Sequence, residues 1–117
     1  MSIRTLLAEQ DLLSKRTLRI LLESISCDVV ALSDPKALGD VLKAQSFEVI
    51  IVSTLSSNCD PLLVAEQSKR SQPAARVLLW GAVIAAMPAW LDPYVDGQLT
   101  MPCSLAELKS AILPSAA

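Results

Sequence analysis

The chain has 117 residues, 52% of them hydrophobic, which is enough for one buried core and too little for two independent ones. Ten basic residues against 12 acidic ones give a formal charge of −2, so no net electrostatic pull draws it to nucleic acid or to an anionic membrane. There is no histidine, which removes imidazole from every scheme of general-base catalysis, nucleophile activation or metal ligation. Cys27, Cys59 and Cys103 are odd in number and far apart. They form neither a CxxC pair nor a zinc knuckle, and read as buried or half-buried thiols of a reducing, cytoplasmic compartment.

In chain order, RTLLAE is a short apolar run. Arg4, Glu9 and Asp11 interrupt the opening, so it reads as a strand and as neither a signal peptide nor a membrane span. Leu18, Leu21, Leu22 and Ile25 then recur at helical spacing opposite Lys15, Arg16, Arg19 and Glu23. DVVAL is a second β-branched run. In SDPKALGDVLKAQ, Asp34 suits an N-cap, Pro35 the first helical position, and Leu38, Val41 and Leu42 make an apolar stripe. VIIVS, from Val49 to Ser53, has no polar interruption and predicts a central strand covered on both faces. DPLLVAEQSKRSQ repeats the Asp-Pro helix start at Asp60-Pro61, and ARVLLW supplies a fourth strand. In AVIAAMPAWLDPYVDG, Pro88 and Pro93 permit only short helical pieces. GQLTMP is a last short strand ending at a proline. SLAELKSAIL opens with a capping box, Ser104 with Glu107, and carries Leu105, Leu108 and Ile112 on one face.

Five strands alternating with helices predict a three-layer α/β fold, a parallel sheet with helices on both faces. Such sheets present their functional crevice beyond the carboxyl ends of the strands. The residues delivered there are Glu9, Gln10 and Asp11, then Ser53 and Thr54, then Gly81 and Ala82, then Thr100 and Met101. With three glycines in the chain there is no Gly-rich phosphate loop, and no acid–base constellation converges, so neither an enzyme nor a flavin- or nucleotide-binding module is favoured.

At these positions the chain resembles a receiver domain of bacterial response regulators, along essentially its whole length. IRTLLAEQD is similar to the opening of receivers in transcription factors with a C-terminal LuxR-type helix-turn-helix, the LuxR/NarL subgroup. QPAARVLLWGA and DGQLTMPCSLAELKSAI match that subgroup's fourth strand, fifth strand and closing helix. The intervals agree as well, 43 residues from Gln10 to Ser53, 28 on to Gly81 and 20 on to Met101. The resemblance implies a CheY-like, flavodoxin-like (βα)5 fold with sheet order 2-1-3-4-5. The domain would span residues 1–113, with 114–117 as a tail or the start of a linker.

A working receiver holds magnesium with an acidic pair after the first strand and takes phosphate on an aspartate that ends the third. A Ser or Thr on the fourth strand and a Lys before a proline on the fifth touch the phosphoryl group. Here the resemblance puts Glu9-Gln10 at the acidic pair, Ser53 at the acceptor, Gly81 at the hydroxyl and Met101, before Pro102, at the lysine. Gln98 stands where the family carries a rotating aromatic. The implied domain is a degenerate pseudo-receiver. Magnesium wants more hard oxygen ligands than Glu9 offers, an acyl phosphate needs a carboxylate, and without lysine and metal nothing neutralises the transferring phosphoryl group. No metal, cofactor or catalysis is expected. Ser53 and Thr54 read as hydroxyls bonded to strand-end backbone, Glu9 as a solvated remnant, Met101 as a gap-filler and Trp80 as packing at the end of the fourth strand, partly plugging the former pocket.

The function this implies is a phosphorylation-independent protein-interaction or dimerisation module of bacterial signal transduction. In the family, the face made by the fourth helix, fifth strand and fifth helix carries output. That region of this chain holds Met87, Ala89, Trp90, Leu91 and Tyr94, with no basic residue between Arg76 and Lys109. Large apolar groups exposed there would anchor a protein partner or a second copy; the alternative folds Trp90 and Leu91 back onto the core. The other functional reading is the N-terminal regulatory domain of a LuxR-type transcription factor whose DNA-binding domain lies outside this chain, since nothing in these residues binds DNA by itself.

Overall fold

Five strands pair in parallel in the order β2-β1-β3-β4-β5: β1 Ile3–Ala8, β2 Cys27–Leu32, β3 Val49–Ser53, β4 Arg76–Gly81 and β5 Gly97–Thr100. Between them run α1 Leu12–Ser24, α2 Leu38–Ala44 and α3 Pro61–Ser71, and α4 Leu105–Ile112 follows β5. Short 3-10 turns occupy Pro35–Ala37 and Ala89–Tyr94. The computed structural model describes residues 3–9, 12–32, 34–54, 61–81, 89–100 and 104–112. The predicted three-layer fold and strand order are those observed.

The uninterrupted apolar run of β3 sits at the centre, and all five of its residues are buried. Because strand side chains alternate, its residues split between two cores. Ile50 and Val52 join Leu6, Val77 and Leu79 beneath α2 and α3, which contribute Leu38, Leu42, Val64 and Ala65. Val49 and Ile51 join Leu7, Val29, Leu78, Trp80 and Leu99 beneath α1 and α4, which contribute Leu18, Leu22, Leu108 and Ile112. Cys27 lies in this second core, where burial pushes its thiol above the ordinary value despite a hydrogen bond to Thr5, leaving it protonated and inert. Cys59 and Cys103 lie outside the described residues.

The last helix starts as its sequence signal predicts, whereas Asp34 and Pro35 open only the 3-10 turn Pro35–Ala37, and α2 begins after it at Leu38 with Ala37 as an N-cap that makes no side-chain hydrogen bond. Asp34 accepts the Lys36 N–H at 3.0 Å, and Ser104 Oγ accepts the Glu107 N–H at 3.1 Å. The segment around Pro88 and Pro93 resolves, from Ala89 on, as a 3-10 turn with Pro93 inside it. Two features have no sequence signature. Ser26 closes α1 in the left-handed region, φ 70°, with its N–H bonded to Glu23 O, a position that usually takes glycine. Gln72 accepts the Phe47 N–H at 2.7 Å and donates to Leu42 O and Gln45 O at 3.0 and 2.7 Å, so one side chain ties the end of α2 to the entrance of β3.

Gln72→Ala leaves those three backbone groups short of partners and is expected to lower stability by about 2 kcal/mol. Ser26→Gly relieves the left-handed strain and is expected to raise it by roughly 0.5 kcal/mol. Both are read from the midpoints of urea unfolding curves.

Candidate functional site

The carboxyl ends of the strands bring Glu9, Ser53, Thr54 and Gly81, described members of the predicted set, to one edge of the sheet. Ala8 is in register with Val52, so Glu9, one residue on, stands level with Ser53; Ser53 pairs with Trp80, and Trp80 with Leu99. Alternation puts Ser53 on the side of Ile51, the α1/α4 face that also takes Trp80 and Leu99. One row across the sheet thus reads carboxylate, hydroxyl, indole, aliphatic.

Burial at this row departs from expectation in one respect. Glu9 is not a solvated remnant: it is 1% exposed, as is Ser53. A charged residue directly after an apolar strand reads in sequence as the point where the chain meets water, but the register holds it inside the edge of the core. Trp80 is 6% exposed and packs among Leu7, Ile51, Leu78 and Leu99, beside Ser53. Its indole Nε1 is buried with no hydrogen-bond acceptor among the described residues. Thr54 does what a small hydroxyl at a strand end does: its N–H and its Oγ1 both donate to Trp80 O, at 2.7 and 3.0 Å, stapling the end of β3 to β4.

Gly81 ends β4, buried, with φ 126°. That conformation is one L side chains rarely adopt. The position therefore differs from one bearing a hydroxyl in its backbone as well as in its missing side chain. Gln98 is exposed on β5. Gln10, Asp11, Ala82 and Met101 lie outside the described residues, as does Met87 of the expected partner face. Of the rest of that face, Trp90 is 47% exposed, Tyr94 is half-buried and Leu91 lies within the 3-10 turn. Trp90 does not fold back fully onto the core.

The donor set among the described residues does not suit magnesium. Among the described residues of this row, Glu9 alone carries a carboxylate, Ser53 adds a neutral hydroxyl, and the next position is an indole. Nowhere among the described residues do three acidic or thiol groups gather closely enough to hold a metal ion. No helix there is long and apolar enough to cross a membrane. Two exposed aliphatics that periodicity did not single out, Leu13 and Ile20, lie seven residues apart on α1, off its buried stripe, at 74% and 67% exposure.

No protein-family model and no curated protein matches the chain. Solved structures do. A response regulator from Burkholderia pseudomallei, with a phosphorylated aspartic acid and a calcium ion, superposes with TM-score 0.81 at 22% identity, over 95% of this chain and 66% of that one. A CheY-like receiver domain from Methanospirillum hungatei JF-1 gives TM-score 0.85 at 11% identity, over 97% of this chain and 93% of that one. A protein described as an adenylate cyclase, from Rhodopirellula baltica, gives 0.81 at 24% identity, over 97% and 87%. The chain shares the fold of CheY-like receiver domains, and fold alone does not carry function.

Gly81→Thr, which restores the side chain the resemblance expects, is expected to lower stability by about 1 kcal/mol or more, because a β-branched residue is forced toward φ 126°. Thermal melts of the two proteins check it; an unchanged or higher melting temperature contradicts the strained-backbone reading.

Proposed function

We propose that this domain is a receiver-like module of two-component signalling that works without phosphorylation, by binding a protein partner or a second copy of itself. The observation that carries the reading is the row Glu9, Ser53, Trp80: a hydroxyl at the end of the central strand, an indole beside it, and one buried carboxylate. The Burkholderia pseudomallei structure contains a phosphorylated aspartic acid. In this chain, the position read as the acceptor offers a serine, which needs a general base that a histidine-free chain does not supply from imidazole. Gly81 and Met101, at the positions read as hydroxyl and lysine, add no charge to stabilise a transferring phosphoryl group.

Binding falls to the segment before β5. Trp90 is half-exposed on the 3-10 turn and Tyr94 ends that turn, and in sequence Met87 and Leu91 flank Trp90 with further apolar side chains. Aromatic anchors of this kind dominate interface energetics. The finer assignment is to the LuxR/NarL subgroup, with the domain regulating a DNA-binding partner domain in cis. What supports it is the resemblance of IRTLLAEQD, QPAARVLLWGA and DGQLTMPCSLAELKSAI to the receivers of that subgroup.

Incubation with acetyl phosphate and magnesium is expected to leave the intact mass unchanged, and Ser53→Asp alone is expected not to restore uptake, because Gln10, Gly81 and Met101 remain. A stable 80 Da adduct, about one phosphate, on the wild-type chain sinks the reading. Trp90→Ala is expected to weaken self-association or partner binding at least tenfold, about 1.4 kcal/mol, without changing the melting temperature. If that variant melts early while binding by the folded fraction is intact, Trp90 is a packing residue.

A further inference from the structure

We propose that the last turn of α3 is a two-cation clamp that fixes the segment from Ala89 to Asp96, and so sets how Trp90 is presented: Arg70 holds the segment at Tyr94 and Lys69 holds it at Asp96. The functional consequence rests on the reading of Trp90 as the contact residue; the clamp does not.

The segment needs an external hold. It is a 3-10 turn, whose hydrogen bonds are poorer than those of an α-helix, and Pro93 removes one backbone donor from it. The turn packs against α3. Lys69 Nζ lies 2.9 Å from Asp96 Oδ2 and also donates to Ala75 O at 2.8 Å. The same Asp96 oxygen accepts the Val77 N–H at 2.8 Å, while the Asp96 N–H donates to Val77 O at 2.8 Å. Asp96 is thereby tied by backbone and side chain to the start of β4 and by charge to α3. The neighbouring Arg70 places its guanidinium 5.1 Å from the centre of the Tyr94 ring, and its Nε bonds Glu66 one turn earlier at 2.9 Å, which orients the planar group over the ring. Successive helical residues diverge by about 100°. Two adjacent cations therefore reach two separate points, Tyr94 and Asp96, which hold the end of the stretch that follows the half-exposed Trp90.

The surroundings say when the clamp lets go. Asp96 faces Lys69 of α3 and Arg76 of β4, while Glu48, just before β3, lines the same open cleft of about 400 Å³ with them. Burial acts to raise the Asp96 carboxyl, but the hydrogen bonds from Lys69 and the Val77 N–H, with the charges of Lys69 and Arg76, outweigh it and hold the carboxyl below its usual value. A group whose folded value is depressed gives stability that is present above its unfolded value and is lost as pH falls through the folded one. The Lys69–Asp96 arm is thus closed through the neutral range and opens only in acid. On the Arg70 arm, salt weakens the solvent-exposed Arg70–Glu66 pair that orients the guanidinium.

Hydrogen exchange of the full chain at neutral pH, read by mass spectrometry, tests the clamp without any partner. Lys69→Met is expected to speed exchange of the amides of Asp96 and Val77 at least tenfold while those of Ile50 to Val52 stay unchanged. Arg70→Gln, a surface change that folding tolerates, is expected to speed exchange within 89–94 only. Unchanged exchange from 89 to 97 in both variants overturns the clamp, and so does a rise spread evenly over all strands. If Trp90→Ala leaves association intact, the interface reading fails, and the exchange result still decides the clamp.

Discussion

The constraint on which the rest depends is the burial of β3 on both faces. Five consecutive residues without an exposed side chain fix the strand at the centre of the sheet, assign alternate residues to two separate cores, and leave no freedom of register, since a slip by one residue would exchange the two sets. The strand's last residue is then delivered to the carboxyl edge at a set height. Glu9 and Trp80 arrive at the same level on the neighbouring strands. What the edge does chemically follows from which side chains happen to stand in that row.

Those side chains favour packing over ion chemistry. A carboxylate at the end of β3 would stand beside an indole and near a buried Glu9, a poor setting for two negative charges without a cation. Serine there is neutral and small, and Thr54 uses both its donors on the Trp80 carbonyl. Gly81 in turn takes a backbone conformation that a hydroxyl-bearing residue would strain. Ser53 pairs with Trp80, and Gly81 follows Trp80 on β4, so these residues are best understood together.

Much of the architecture was legible because its signals are local. Alternating β-branched runs and helical stripes marked the strands and helices, and Ser104 announced its cap, while Asp34 marked a 3-10 turn that precedes α2. Pro93 correctly argued for a short helical piece before β5, the 3-10 turn Ala89–Tyr94, while Pro88 lies outside the described residues. What escaped was set by register or by distant pairs. Glu9 read as a solvated charge because sequence does not show that it stands level with Ser53. Gln72, holding the α2–β3 connection, and Lys69, holding Asp96, act on partners some 27 residues away. Leu13 and Ile20 were hidden by a stronger stripe on the same helix, although their seven-residue spacing is itself a readable signal. The proposed use of the edge and of the Trp90 segment comes from the resemblance together with the burial pattern, and neither suffices alone.

The two tryptophans offer the most direct test of the claim that this edge has left phosphoryl chemistry. Trp80 adjoins Ser53 in the core and Trp90 sits half-exposed on the segment before β5, so their indole N–H resonances in a ¹⁵N correlation spectrum report on the site and on the partner face separately. The account predicts that magnesium with beryllofluoride, added to saturation for a working receiver, leaves both resonances in place. A saturable shift of the Trp80 signal, with or without a shift of Trp90, would contradict it.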